Sequence, residues 1–533
     1  MSHHPKALIL AASLFTSLPI LAQSNLPEEF RTINGSRNNI ERPNWGSAGR
    51  NRAGRPVINN FDAEYGVAPR SLPSARVISN AIARQESQTH IQHNFSDLFW
   101  LWGQFLDHDI TLIPGDENGE QMPIPVPRGD RVLDPRNTGT QVIRFTRSKS
   151  VSRNNERLPV NTITSFIDAS QVYGSDQRTA RLLRDDIEPA YLAFSGDEFL
   201  PLIDDVPTDD GNTGRRGLFA AGDARANEHV GLTAMHTIFM REHNRLVPIV
   251  RQQHPGISEE ETYQMARMVL GGIMQRITFE EFLPKLIGRP LPPYTGYNSS
   301  IDPRISNSFS TAAFRFGHSM LSSQLQILDF GETIPVNLKD LFFQPEIFLD
   351  FGPEPILAGF GKGKAQAIDV KIVEDVRSFL FGPPGSPGSD LAALNIQRGR
   401  DHELPSYNDM REALGYPRIE RFLKLDQFDP QGITLDQSLA QSLRSVYDSP
   451  DRIDLWVGGL SEQPLFGSLI GPTFTSIIVE QFLRLRDGDR FWYESVFPNG
   501  YWRQYIERST LSSVLIRNSV GGGEFDRTPF IAD

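Results

Sequence analysis

Residues 98–112 read LFWLWGQFLDHDITL. The first five are apolar or aromatic, Gly103 and Gln104 interrupt them, and Phe105 and Leu106 lead into Asp107, His108 and Asp109. A stretch this apolar belongs in a helix packed inside the molecule, where a carboxylate needs a partner to offset the cost of leaving water. Successive helical residues lie about 100° apart around the axis. His108, four residues after Gln104, therefore shares its face. Asp107 lies on the neighbouring stripe, and Asp109 points well away from Asp107. One helix end thus offers a Gln/Asp/His face on one side and a separate carboxylate on the other, and the rest of the chain must supply what meets each.

The 533-residue chain carries a formal net charge of −12 and 39% apolar residues, enough for a large core. The acidic balance and the lack of a Lys/Arg-rich run argue against nucleic acid and anionic membrane as partners. The chain has 34 Phe against 12 Tyr, which suggests a deep apolar interior, and it has no cysteine. Disulfides and thiolate ligands are therefore excluded, and any metal must use His, carboxylate, hydroxyl or backbone oxygen. At the N-terminus, Lys6 precedes an apolar run from Ala7 to Leu21, with the small residue Ala22 at the position of a cleavage site. That is the layout of a secretory signal peptide over residues 1–22. The run is short for a span and contains Pro19, and no other segment is long and apolar enough to cross a bilayer. A secreted, extracellular or periplasmic protein is expected, and the absence of cysteine from an exported chain points to a bacterial one.

Residues 23–90 are rich in Asn, Arg, Pro and Gly and weakly periodic, so they are expected to form an extended arm on a domain of residues 91–533. Helical patterns dominate that domain, at 93–110, 176–185, 227–252, 258–284, 307–322, 371–380, 435–446 and 472–486. Strand signals are few, the best being VIRFTR at 142–147. The expectation is a mainly α protein with one large helical domain and few short strands.

Four further stretches concentrate polar chemistry. TITSFIDASQVYGSD, residues 162–176, sets Thr164, Asp168 and Ser170 around Phe166, an oxygen-rich loop of the kind that suits Ca²⁺ and also of the kind found in ordinary Ser/Thr turns. In AAGDARANEHVGLTAMHTIFMREHNRL, residues 220–246, Arg225 and Glu228 stand three apart where a long helix starts, a place that favours glutamate in any case. His236 and His243 lie seven apart, two turns, too far for one zinc, and read as structural. STAAFRFGHSML, residues 310–321, buries His318 among Phe314, Phe316, Met320 and Leu321, as a satisfied core residue or as a ligand. LAALNIQRGRDHELPSYND, residues 391–409, crowds Asn395, Arg398, Arg400 and Asp401 together.

Taken singly, each of these has an ordinary structural explanation. Taken in order, WGQFLDHD, TSFIDASQVYGS, ARANE before LTAMHTIFMREHNRL, TAAFRFGHS and LNIQRGRDH resemble the motifs of the animal-type haem peroxidases, over about residues 25–525. The resemblance implies a haem b enzyme that reduces H₂O₂ and oxidises a small anionic or aromatic donor. It makes His108 the distal histidine, a proton acceptor and donor near neutrality, with Gln104 its pocket neighbour. It makes Arg225 the distal arginine, stabilising charge as the O–O bond breaks. His318 would be the proximal iron ligand, with Asn395 accepting the other ring N–H and so raising its basicity. Arg315 and Arg398 would pair with haem propionates. Asp107 and Glu228 match the two carboxylates ester-linked to haem in the family, and Asp109, Thr164, Phe166 (by its carbonyl), Asp168 and Ser170 match its Ca²⁺ site. On this reading the two acids beside His108 serve two sites on opposite sides of one helix.

Where myeloperoxidase carries a methionine bonded to haem through sulfur, this chain has His229. The resemblance therefore implies at most two ester links, and iodide, bromide, thiocyanate or phenolic donors in preference to chloride. Two other readings use the same fold. A cyclooxygenase-like fatty-acid dioxygenase needs a tyrosine three residues before the proximal histidine, where Arg315 stands. An adhesion protein would use the Arg-Gly-Asp tripeptide at 128–130, which is also a good turn sequence. A third possibility, a decayed peroxidase scaffold, has no support from the sequence, because every pocket residue named above is present.

Overall fold

In the computed structural model the opening stretch is the helix Asp97–Ile110. Asp97 sits in its first turn, where a carboxylate complements the partial positive charge of the helix start. Leu98, Phe99, Leu101, Trp102, Phe105, Leu106 and Ile110 are wholly buried, so this helix is a core element with one face kept for polar groups. The structure describes residues 26–49, 51–52, 72–89, 94–116, 118–153, 156–211, 213–381, 388–420, 422, 437–520 and 525–532. The expected signal segment, residues 1–22, lies outside them.

The longest helices are Val230–Gln253 and Glu259–Ile277, which pack on each other. A capping box of Ser258 and Glu261 starts the second. His229 caps the first, its ring accepting from the Leu232 N–H. The opening helix contacts both Val230–Gln253 and Pro353–Lys362. Strands among the described residues form three small antiparallel sheets. Asn51–Arg52, Glu156–Asn161 and Ser150–Arg153 make one, Ile124–Pro125 and Val142–Ile143 a second, and Gln324–Asp329 with Glu332–Asn337 the third. The mainly α expectation holds. Of VIRFTR, only Val142 and Ile143 are strand.

Several expected helices differ in kind. The 258–284 pattern is an α-helix to Ile277, then a π-helical turn Thr278–Phe282, then α again over Leu283–Ile287. The 371–380 pattern shortens to Glu374–Arg377. The 307–322 pattern breaks at Ala312 and continues as a 3₁₀ helix, Ala313–Met320. A 3₁₀ helix repeats every three residues, so Arg315 and His318 stand on one face. The expected arm is described only in part. Residues 26–49 run without helix or strand, but Ala75–Ile78 and Ser79–Ala83 are helical and inserted in the domain. Arg76, 1% exposed, reaches Asp130 at 2.8 Å and Asp390 at 2.7 Å there.

Candidate active site

The polar face of the opening helix closes one side of a cavity of about 370 Å³. Trp100, Gly103, Gln104, Asp107 and His108 line it from that helix. Arg225, Glu228 and His229 line it from the short 3₁₀ turn Ala224–Asn227 and the residues leading into helix Val230–Gln253. Phe314 to His318 come from the 3₁₀ helix, and Leu391, Leu394, Asn395 and Arg398 from helix Leu391–Asp401. All nine residues expected at a haem pocket therefore meet in one cavity: Gln104, Asp107, His108, Arg225, Glu228, Arg315, His318, Asn395 and Arg398.

Sequence reasoning missed the residue that organises the distal side. Asp223, fully buried, caps the Ala224–Asn227 turn through the Arg225 N–H. Its carboxylate accepts from Arg225 Nε at 2.8 Å and Nη2 at 2.7 Å, and its Oδ1 stands 3.8 Å from His108 Nδ1. Arg225 Nη2 also donates to the Thr111 carbonyl at 2.8 Å, which leaves Nη1 toward Asp107, 3.8 Å from its Oδ2. Burial would raise Asp223, but the Arg225 charge holds it down at about 2. Burial first, and then Arg225, drive His108 well below the usual histidine range, so its ring is a neutral base. The only signal in the sequence was an Asp two residues before Arg225, a common turn pattern.

The two cavity carboxyls move the other way. Burial raises Asp107, with Arg225 opposing, and pushes Glu228 up to about 7. A carboxyl that prefers its neutral form is one that low-polarity surroundings tolerate. Thr111 Oγ1 donates to Asp107 at 2.8 Å. Gln104 Nε2 donates to Glu228 at 3.3 Å, while Gln104 Oε1 faces His229 Nε2 at 2.9 Å.

On the proximal side, burial lowers His318 to about 3, so the imidazole is neutral and able to ligate. Asn395 Nδ2 lies 2.7 Å from its Nδ1, and Arg315 Nη1 donates to Asn395 Oδ1 at 2.8 Å. The pairing of Asn395 with His318 is as expected. The Asn395 amide thus bridges the Arg315 guanidinium and the His318 ring. Arg315 has no carboxylate within 4 Å among the described residues, and burial, with Arg398 adding, lowers it to about 10. Arg398 is instead held by Asp401 at 2.7 Å and Ser148 Oγ at 2.6 Å. A half-buried guanidinium with no carboxylate within 4 Å among the described residues, facing a cavity that also exposes a neutral histidine and two neutral-leaning carboxyls, fits a haem with anionic side groups. Arg315 suits a propionate better than Arg398 does.

On the far side of the opening helix, Asp109 is wholly buried. Its carboxylate accepts from the backbone N–H groups of Asp168 (3.1 Å), Ala169 (3.1 Å) and Ser170 (2.5 Å), and Ser170 Oγ donates to its carbonyl at 2.8 Å. Thr164 Oγ1 donates to Asp168 Oδ1 at 3.0 Å. Asp168 Oδ2 is buried without a hydrogen bond, with Arg267 at 3.5 Å and Arg31 at 3.9 Å. Burial and the neighbouring Asp168 push Asp109 well up. Two buried carboxylates that repel, an unbonded oxygen and adjacent hydroxyls fit a hard cation bound by oxygen, as Ca²⁺ is. Among the described residues no three His, Asp or Glu cluster as a metal site, so a cation here would need the hydroxyls and carbonyls as well.

The histidines read as structural are so used. His236 Nδ1 meets the Leu232 carbonyl at 2.8 Å, and His243 bridges Tyr173 Oη at 2.8 Å and the Ala190 carbonyl at 2.9 Å. The Arg-Gly-Asp carboxylate is buried. Asp130 accepts from Arg76, Asn80 and the N–H groups of Val132 and Leu133, which leaves it no face for a receptor. Among the described residues no tyrosine lines the cavity, and Arg315 holds the position a dioxygenase would need for one.

The sequence profile described as animal haem peroxidase matches residues 30–530. Peroxinectin A of Dictyostelium discoideum is 34% identical over 95% of this chain and 96% of its own length. Lactoperoxidase of Mesocricetus auratus is 34% identical over 93% of this chain and 76% of its own. Among solved structures, peroxidase A of Dictyostelium discoideum superposes with a TM-score of 0.84 at 32% identity, covering 95% of this chain and all of that one. A fatty acid alpha-dioxygenase of Oryza sativa reaches a TM-score of 0.75 at 19% identity, over 92% of this chain and 84% of its own, a likeness of fold alone.

Proposed function

This chain belongs to the animal haem peroxidase family, a haem oxidoreductase that takes H₂O₂ and a reducing donor, and from that premise we propose how its own residues divide the work. His108 and Arg225 activate peroxide, His318 holds the iron, and the donor is a small anion such as iodide, bromide or thiocyanate, or a small aromatic. The single observation that carries this is the meeting of a neutral His108, an anchored Arg225 and a neutral His318 around one cavity. The haem, when bound, supplies the redox chemistry between peroxide and donor.

With haem bound, the neutral His108 ring would take a proton from H₂O₂ at Nε2 and pass it to the second peroxide oxygen, which could then leave as water, the haem supplying the two electrons and retaining the other oxygen. Asp223 favours a proton on Nδ1, keeping Nε2 as the base. Arg225, held by Asp223 and the Thr111 carbonyl, places Nη1 where it offsets negative charge on the peroxide oxygens. Arg315 pairs with a propionate. Asp107 and Glu228 are the groups poised to become haem esters. Asp109, Thr164, Phe166, Asp168 and Ser170 bind Ca²⁺ and tie the opening helix to its neighbouring loop. Residues 1–22 direct export.

His108→Ala tests the reading. The variant should keep its bound-haem absorption band while its reaction with H₂O₂ slows by about 10²–10⁴-fold, the usual worth of a general acid–base group. An unchanged rate in stopped-flow absorption would overturn the distal assignment.

A further inference from the structure

The family reading uses His229 only as a departure from a known pattern, yet the structure ties it to the pocket at both ring nitrogens. Nδ1 accepts from the Leu232 N–H at 3.3 Å, a group it shares with the His229 carbonyl, and so caps helix Val230–Gln253. Nε2 faces Gln104 Oε1 at 2.9 Å. The ring is 2% exposed and wedged edge-on between Trp100 and Phe342, with centroids at 5.6 and 6.4 Å. Burial lowers it to about 3, so it stays neutral and carries one ring proton.

A neutral imidazole has one donor and one acceptor nitrogen. The helix cap takes the acceptor at Nδ1. The proton is therefore on Nε2, and whatever meets Nε2 must accept. Gln104 must then turn its oxygen to His229 and its NH₂ away. One amide N–H reaches Glu228 Oε1 at 3.3 Å, and the side chain lines the cavity. The helix cap thus sets the ring tautomer, and the tautomer sets which end of the Gln104 amide meets it.

We propose that His229 is a positioning residue that sets donor preference: by holding the proton on Nε2 it fixes Gln104 as a hydrogen-bond donor to the pocket, which favours anionic donors over neutral ones. Without that proton the Gln104 amide is free to rotate half a turn and present its carbonyl, which repels an anion. Gln104 Nε2 and Arg225 Nη1 then form two donors on the same side of the cavity. This inference rests on the peroxidase reading of the cavity.

The test separates the cap from the lock. His229→Asn keeps a good helix cap but is too short to reach Gln104, whereas His229→Phe fills the space and does neither. With haem supplied, thiocyanate is titrated into the ferric protein and followed by the shift of the haem band. Both variants should bind it about tenfold more weakly, equal to about 1.4 kcal/mol. The ratio of kcat/KM for iodide to that for a neutral phenol should fall by a similar factor, through KM for iodide. Gln104→Leu should show the same loss, and adding His229→Asn to it should lose nothing more, because the two act as one unit. Unchanged thiocyanate affinity in a folded His229→Asn protein, or full additivity with Gln104→Leu, would sink the proposal. A His108→Ala protein that still reacts rapidly with peroxide would instead remove the reading beneath it, so the two failures are distinguishable.

Discussion

At the residue scale the pocket is a set of pKa values moved apart by burial and by one cation. Arg225 depends on Asp223, which no motif announced. Asp223→Ala removes the bidentate partner of a largely buried guanidinium, which should cost about 3–5 kcal/mol of stability, read by chemical denaturation. Asp223→Asn keeps the shape but not the charge and should slow the reaction with H₂O₂ with a smaller loss of stability. If Asp223→Asn reacted with peroxide at the unaltered rate, Asp223 would be a structural cap and nothing more. Glu228 makes the opposite kind of prediction. Its folded pKa of about 7 lies above its usual 4.5, so the folded state binds the extra proton between those values. The stability it contributes is full below pH 4.5 and is lost as pH rises through 7. In the haem-free protein Glu228→Gln should therefore flatten the fall in Tm between pH 5 and 8. A Tm profile identical to that of the unmutated chain would refute the shift.

At the element scale the opening helix is held from both sides. One side carries the cavity face, and the other is pinned by Asp109 to the backbone of Asp168, Ala169 and Ser170. Asp109→Asn, or removal of Ca²⁺ by a chelator, should lower Tm and loosen the same helix that presents His108. Hydrogen exchange over residues 97–110 measures this, and unaltered protection after chelation would show that the loop needs no cation. The motifs on this helix were legible because they are contiguous and their spacing fixes which face each residue takes. The 3₁₀ form of Ala313–Met320 was not legible. The sequence there has the spacing of an α-helix, whereas the tighter turn aligns Arg315 with His318, where both meet Asn395.

At the scale of the whole molecule the N-terminal arm reaches across to Asp489 and to the loop that carries Asp168. Arg31 on the arm reaches Asp489 at 2.7 Å, lies 3.9 Å from Asp168 and stacks on Phe166 and Phe491. Arg31→Ala breaks a buried pair, so the calcium-free protein should lose about 3–5 kcal/mol. It also removes a positive charge beside Asp168, so the rise in Tm on adding Ca²⁺ should be larger than in the unmutated protein. A smaller rise would mean that the arm builds the cation site and does not compete with it. The arm reads as featureless in sequence because its anchors lie up to 458 residues away, beyond any local pattern.

The sequence by itself determined the family, the helical class and which residues gather at the cavity, because these are written in short stretches whose internal spacing survives folding. Tertiary structure alone decided how those residues are used. It found Asp223 for Arg225, set His229 against Gln104, joined Arg315 to the Asn395 amide and buried the Asp130 carboxylate against Arg76. Each is a choice of hydrogen-bond partner between groups distant in sequence, as Gln104 and His229 are by 125 residues. Such a choice follows from where the donors and acceptors stand once the backbone is folded, and no single stretch of chain contains it.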